Sequence, residues 1–161
     1  GARSRLRRPS SDAMPTAIAA MSSLADITNM RCLINLIFSG LLDRYPRLNF
    51  VSVESGMGWI PFLLELATYQ IGQNGVKHLS LTPLEYFQRQ IYAAYWFETD
   101  VAYAVQRLGP DNIMFETDFP HPACLYPSVQ DQVQRSLGGL PEHIQRKILY
   151  ETAAKVYQLP L

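Results

Sequence analysis

Cysteine is almost missing from this chain, with only Cys32 and Cys124 in 161 residues, far apart and in no metal-type spacing. That excludes a disulfide framework and a cysteine-built zinc site, and it suits a reducing, cytoplasmic compartment. A charge excess of either sign is missing too. Fourteen basic residues balance 14 acidic ones, so no net field draws the chain toward nucleic acid or an anionic membrane surface. Long apolar runs are also lacking. The best, Cys32 to Leu42, is interrupted by Asn35 and Ser39 and falls short of the roughly 18 residues of a membrane helix. There is no phosphate-cradling G-x-x-x-x-G-K, no dinucleotide G-x-G-x-x-G after a strand, no H-E-x-x-H and no G-x-S-x-G. These absences leave one globular domain directed at a small-molecule substrate, with neither nucleic acid nor membrane as partner.

The opening segment is different in kind. Arg3, Arg5, Arg7 and Arg8 lie among serines with no acidic residue before Asp12, a composition shared by transit peptides, basic tails and the ragged edge of a truncated chain. Residues 1–15 are therefore read as a disordered basic segment, and 16–161 as the folded domain.

Along that domain, Thr16 to Leu42 has helical periodicity, with Ser39-Gly40 as a possible break and Asp43-Arg44-Tyr45-Pro46 as the stop. Asn49 to Val53 is β-branched and aromatic and runs into the turn Glu54-Ser55-Gly56-Met57-Gly58. A helix follows over Trp59 to Tyr69, its inward face assigned to Trp59, Phe62, Leu63, Leu66 and Ala67, and Gly72 to Ser80 reads as a loop. Thr82 opens a short helix before a second strand at Ile91 to Trp96. A further helix begins near Thr99 or Asp100 and ends at Gly109-Pro110, ahead of a third strand, Ile113 to Thr117. Val129 to Leu137, a helix opened by Pro141, and a last one capped by Thr152 complete the chain.

Alternating strands and helices imply an α/β fold with parallel strands and right-handed crossovers. Three strands are too few for a closed barrel of eight. The expectation is a part of something larger, with one apolar sheet face and two strand edges exposed, and hence a homo-oligomer or a missing N-terminal half.

Chemistry in such folds gathers where strands end. The run Ile113 to Pro122 delivers Glu116 and Asp118 from an apolar strand into a loop that Pro120 and Pro122 keep from becoming helix. Asp118 fits two roles: a carboxylate held for a cation or proton, and a cap hydrogen-bonding its own turn. Glu54 likewise is either a second site carboxylate or the cap of the helix near Trp59. His121 is either a contact to substrate or metal or an exposed loop residue, and Trp59 is either pocket wall or core.

Three ordered stretches carry a resemblance: Phe38 to Leu48 (FSGLLDRYPRL), Val53 to Phe62 (VESGMGWIPF) and Asp111 to Pro122 (DNIMFETDFPHP). Together they resemble the amidohydrolase-related family, which includes the aminocarboxymuconate semialdehyde decarboxylase-like enzymes. The resemblance implies the C-terminal part, the last three strand-helix units, of a metal-dependent TIM (β/α)8 barrel. It implies a divalent metal, commonly zinc, at the barrel mouth, with Asp118 matching the aspartate ligand that ends the last strand. The family's first-strand His-x-His pair and fifth-strand histidine have no counterpart here, Glu54 stands where some decarboxylases carry a proton-transferring histidine, and Thr152 stands where relatives often have asparagine.

The resemblance implies a hydrolase or a non-oxidative decarboxylase of a small cyclic or aromatic carboxylate. Asp118 and Glu54 would be catalytic, Asp118 would ligate metal, and His121 and Trp59 would line the substrate side. The rival expectation is a catalytically silent fragment or half-barrel that acts only by pairing with another chain.

Overall fold

The computed structural model describes residues 13–26 and 28–160. Residues 1–12 of the predicted basic segment lie outside these, whereas 13–15 are helical and belong to α1 (Ala13–Asp26). The single helical stretch expected from Thr16 to Leu42 is three helices: α1, α2 (Asn29–Phe38) and α3 (Leu41–Arg44), the last two separated at Ser39-Gly40. Three short strands follow in alternation with helices: β1 (Phe50–Ser52), α4 (Ile60–Asn74), α5 (Pro83–Gln90), β2 (Ile91–Tyr95), α6 (Val101–Leu108) and β3 (Ile113–Phe115). They form one parallel sheet in the order β1-β2-β3, with Ser52 opposite Ala93 and Tyr95 opposite Phe115.

Local chemistry explains most boundaries. At α5 the Thr82 side chain accepts from the Glu85 N–H while Glu85 Oε2 accepts from the Thr82 N–H, and Pro83 fills the first helical position. This reciprocal cap satisfies two donors that helix starts otherwise leave open. Helix α4 runs to Asn74, five residues past the predicted end, because Gly72 is tolerated within it. It is Gly75, at φ +62°, that takes the left-handed conformation closing the helix.

The buried face of α4 also differs from the prediction. Ile60, Pro61, Leu63, Leu64 and Ala67 are buried, whereas Phe62 and Leu66 are exposed. The helix is apolar nearly all round, so several faces satisfy the three-and-four spacing and packing against the sheet chooses among them.

The main core lies between the sheet and the helices and includes Leu33, Ile37, Leu42, Leu63, Tyr86, Phe87, Ile91, Tyr95 and Ile113. The opposite sheet face carries a smaller cluster of Tyr92, Ala94 and Met114, with Val51, Ala153 and Val156 packed against it. The apolar face expected to stand open is thus partly covered by the end of the chain. After α7 (Val129–Leu137), α8 (Glu142–Arg146) continues through a π-helical turn, Lys147–Glu151, into α9 (Thr152–Tyr157). Thr152 is buried inside this continuous helix and caps nothing, contrary to expectation.

The segments preceding the strands are tied together by polar contacts. Asp43 accepts from the Ser80 N–H at 3.1 Å, from the Ser80 hydroxyl and from Tyr86 Oη at 2.5 Å, with Arg89 3.8 Å away. Gln90 Nε2 donates to the carbonyls of Tyr45 and Leu48. Buried Asn112 donates to the carbonyls of Phe87 and Ile91. These bonds fix the lower ends of all three strands, and hence the aim of their upper ends.

Candidate functional site

Each strand delivers acid where it ends. β1 leads to Glu54, β2 to Glu98, and β3 to Glu116 and Asp118. The ladder continues one step past β3, since the Glu116 N–H donates to the Tyr95 carbonyl at 2.9 Å. From there Glu116 Oε1 accepts from the Glu54 N–H at 3.0 Å, joining the first and third strand ends. Glu116 is half-buried, and burial raises its pKa most. The neighbouring charges of Glu54, Asp118 and Glu98 raise it further, against the single backbone hydrogen bond. Glu116 therefore lies among the other three strand-end carboxylates, Glu54, Glu98 and Asp118, whose charges it feels.

Glu54 and Asp118, the two carboxylates expected from sequence, share a backbone peculiarity. Both occupy the left-handed region, at φ 51° and 58°, which non-glycine residues rarely enter and which recurs at functional loops. Glu54 is exposed and does not cap α4, whose cap residue is Trp59 and lacks a side-chain cap bond. The Asp118 side chain is only 10% exposed and Oδ2 lies 3.0 Å from His121 Nδ1, while its carbonyl accepts from the His121 N–H at 2.8 Å. Asp118 thus does bond its own turn, and the same bond fixes His121, whose ring stands 64% exposed beside it. Trp59 is half-buried, and its indole N–H donates to the Ser55 carbonyl at 2.7 Å. It braces the glycine turn.

Glu98 was not foreseen. Its Oε1 accepts from the Met57 and Gly58 N–H groups at 2.7 and 2.8 Å, and its Oε2 is buried without a hydrogen-bond partner. Burial raises the Glu98 pKa, and the two backbone bonds only partly offset this. Gly56, at φ +62°, makes the approach possible: a Cβ there would stand 2.8 Å from Glu98 Oε1. Gln132 Nε2 donates to the Glu98 carbonyl, tying α7 to the same loop. Burial also pushes the Tyr95 hydroxyl, below this rim, up to about 12, with the Glu98 charge adding to it. The usable sequence signal is position alone, an acid just beyond the second strand and just before the helix start expected near Thr99 or Asp100.

A cavity of about 500 Å³ opens beside Glu98, walled by Met57, Phe97, Tyr103 and Ala104. The donor set does not complete a metal site. Among the described residues no group of three or more histidine, cysteine, aspartate and glutamate side chains could hold a metal ion. A closed zinc site needs four donors and a catalytic one three, and Asp118 is a single donor already engaged with His121. No helix among the described residues is long and apolar enough to cross a membrane.

Among solved structures the chain is similar to 5-carboxyvanillate decarboxylase from Sphingomonas paucimobilis, at 26% identity and a TM-score of 0.66, over 79% of this chain and 38% of that one. It is similar to an amidohydrolase from Mycobacterium avium subspecies paratuberculosis at 24% identity and a TM-score of 0.69, over 90% of this chain and 40% of that one. A dihydroxybenzoic acid decarboxylase from Polaromonas, solved with bound manganese and the inhibitor 2-nitroresorcinol, matches at 21% identity and a TM-score of 0.66, over 83% and 41%. The chain thus spans about two fifths of the length of these structures, and its three parallel strand-helix units are part of a TIM barrel. No curated protein matches it. The amidohydrolase family model matches residues 18–159, nearly the whole sequence, and the chain belongs to the amidohydrolase family.

Proposed function

We propose that this chain forms the acidic side of the mouth of a metal-dependent non-oxidative decarboxylase acting on a small aromatic carboxylate. The observation that carries this reading is the place of Glu116, whose pKa is raised, among carboxylates from three strand ends. Decarboxylation breaks the bond between the ring carbon and its carboxylate. The electron pair stays on the carbon, carbon dioxide leaves, and a proton must be delivered to that carbon. A carboxyl whose pKa is raised by burial and neighbouring like charges is better suited to hold and deliver that proton than an exposed one, so Glu116 is assigned the proton, with Glu54 beside it. His121 and Trp59 are assigned to the substrate side. The Sphingomonas neighbour is a decarboxylase at 26% identity, which supports this over the hydrolase alternative.

Asp118 is proposed as one ligand of a divalent ion whose other ligands come from outside the described residues. Zinc is the family expectation, and manganese, which the Polaromonas neighbour holds, suits carboxylate donors better. The test is metal stoichiometry after equilibration with manganese or zinc, measured on the chain alone and with a partner chain that completes the barrel, together with carbon dioxide release from dihydroxybenzoate and carboxyvanillate. Metal uptake lost in Asp118→Asn and turnover lost in Glu116→Gln are the expected results. Uptake unaffected by D118N would overturn the ligand assignment, and turnover unaffected by E116Q the proton assignment.

One observation favours a second reading, in which the chain is silent by itself and acts only with another chain: its described residues do not complete a metal site. Absence of both metal and turnover from the isolated chain, with their appearance on adding a partner chain, is the result that selects it.

A further inference from the structure

We propose that Glu98 is a positioning residue of the acidic rim: its carboxylate shapes the turn after β1 and so sets where Glu54 and Trp59 stand. The turn runs from Glu54 to Gly58. Glu54 and Gly56 both take left-handed backbone, at φ 51° and 62°, and such a path lasts only where surrounding groups over-determine it. Those groups come from the other two strand ends. Three N–H groups of the turn donate to carboxylates outside it: Glu54 to Glu116 Oε1 at 3.0 Å, and Met57 and Gly58 to Glu98 Oε1 at 2.7 and 2.8 Å. Between these anchors the Ser55 carbonyl accepts from the Trp59 indole N–H. The side chain of Glu98 thus grips the half of the turn that leads into α4.

Its own setting fits that task. Oε1 takes both N–H groups at once, while Oε2 is buried without a hydrogen-bond partner among the described residues. A buried unpaired oxygen costs stability, so this side chain is a poor choice for stability alone. What it supplies is grip, because an ionised acceptor holds N–H donors about twice as strongly as a neutral one. The backbone of Glu98 is fixed as well. Gln132, itself 2% exposed, donates from Nε2 to the Glu98 carbonyl at 2.8 Å, and its Oε1 accepts from Arg135. Gly56 completes the fit, since a Cβ there would stand 2.8 Å from Oε1. α7 therefore holds the loop after β2, and that loop holds the turn after β1. Withdrawing Oε1 by one methylene, about 1.5 Å, opens both bonds. The bearing of Glu98 on turnover rests on the decarboxylase reading, whereas its hold on the turn does not.

The test separates reach from charge in the full chain. Glu98→Gln keeps an acceptor oxygen at the same reach without the charge, and Glu98→Asp keeps the charge but withdraws the oxygen. Amide hydrogen exchange read by NMR should find Met57 and Gly58 protected in the parent and in E98Q, and exchanging about ten-fold faster or more in E98D. The Ala93 amide, bonded to the Asn112 carbonyl within the sheet, should be unchanged in all three and reports that the fold is intact. The Trp59 indole N–H resonance should move in E98D and stay near its parent position in E98Q. Carbon dioxide release by the chain with its completing partner should fall several-fold in E98D, and by more than in E98Q. Met57 and Gly58 as protected in E98D as in the parent, or as unprotected in E98Q as in E98D, would overturn the proposal. Exchange that behaves as expected while no form releases carbon dioxide would uphold the hold of Glu98 on the turn and overturn the decarboxylase reading.

Discussion

Two residues at strand ends hold a conformation their side chains do not favour. Glu54, at φ 51°, is engaged through its backbone N–H, which donates to Glu116, and its exposed side chain makes no hydrogen bond among the described residues. Glycine there should relieve the left-handed penalty, so Glu54→Gly is expected to stabilise the fold by about 1 kcal/mol in urea unfolding, while reducing the proposed turnover. An observed loss of stability would mean that the carboxylate is itself structural. Glu98 and Glu116 predict a pH dependence. Both have folded-state pKa values raised from 4.5, so between the unfolded and folded values the folded state binds more protons. Their contribution to stability is complete below about pH 4.5 and is lost as pH rises through the folded values. The thermal midpoint of Glu98→Gln should consequently fall less than that of the parent between pH 4.5 and neutrality. Asp43, whose pKa is lowered by bonds from Ser80 and Tyr86 and by Arg89 despite its desolvation, acts oppositely at more acid pH, its contribution being lost as pH falls below 3.8.

At the scale of elements, legibility followed the chemistry of boundaries. Helix α5 could be placed from Thr82, Pro83 and Glu85 because its start is encoded locally, and all three strands fell within two residues of their predicted bounds because turn formers or helix starts flank each. Thr82→Ala should cost about 1 kcal/mol in chemical denaturation. What sequence could not supply was long-range. The buried face of α4 was misassigned because Phe62 and Leu64 are equally apolar and only packing separates them. Thr152 read as a cap, yet the π-helical turn before it carries the helix straight through. Of the site, Glu54 and Asp118 were legible as acids beyond apolar strands. The role of Glu98 was not, because its partners are backbone N–H groups 40 and 41 residues away in sequence.

Across the described residues, a main core, a smaller cluster on the other sheet face and a set of buried polar ties hold the sheet to its helices. Asn112 joins α5, β2 and the start of β3 through two side-chain bonds, while its own carbonyl accepts from Ala93. Asn112→Ala would strand buried carbonyls and should cost about 2–3 kcal/mol by thermal or urea unfolding. A cost below about 0.5 kcal/mol would show that water replaces those bonds.

The Asp43 hub and the Gln90 bonds cluster where the strands begin, and the acids cluster where they finish. Distant positions change stability almost independently. Such a scaffold can exchange specificities at one rim while its foundations stay unaltered, so new substrates can be explored by loop replacement without refolding the rest.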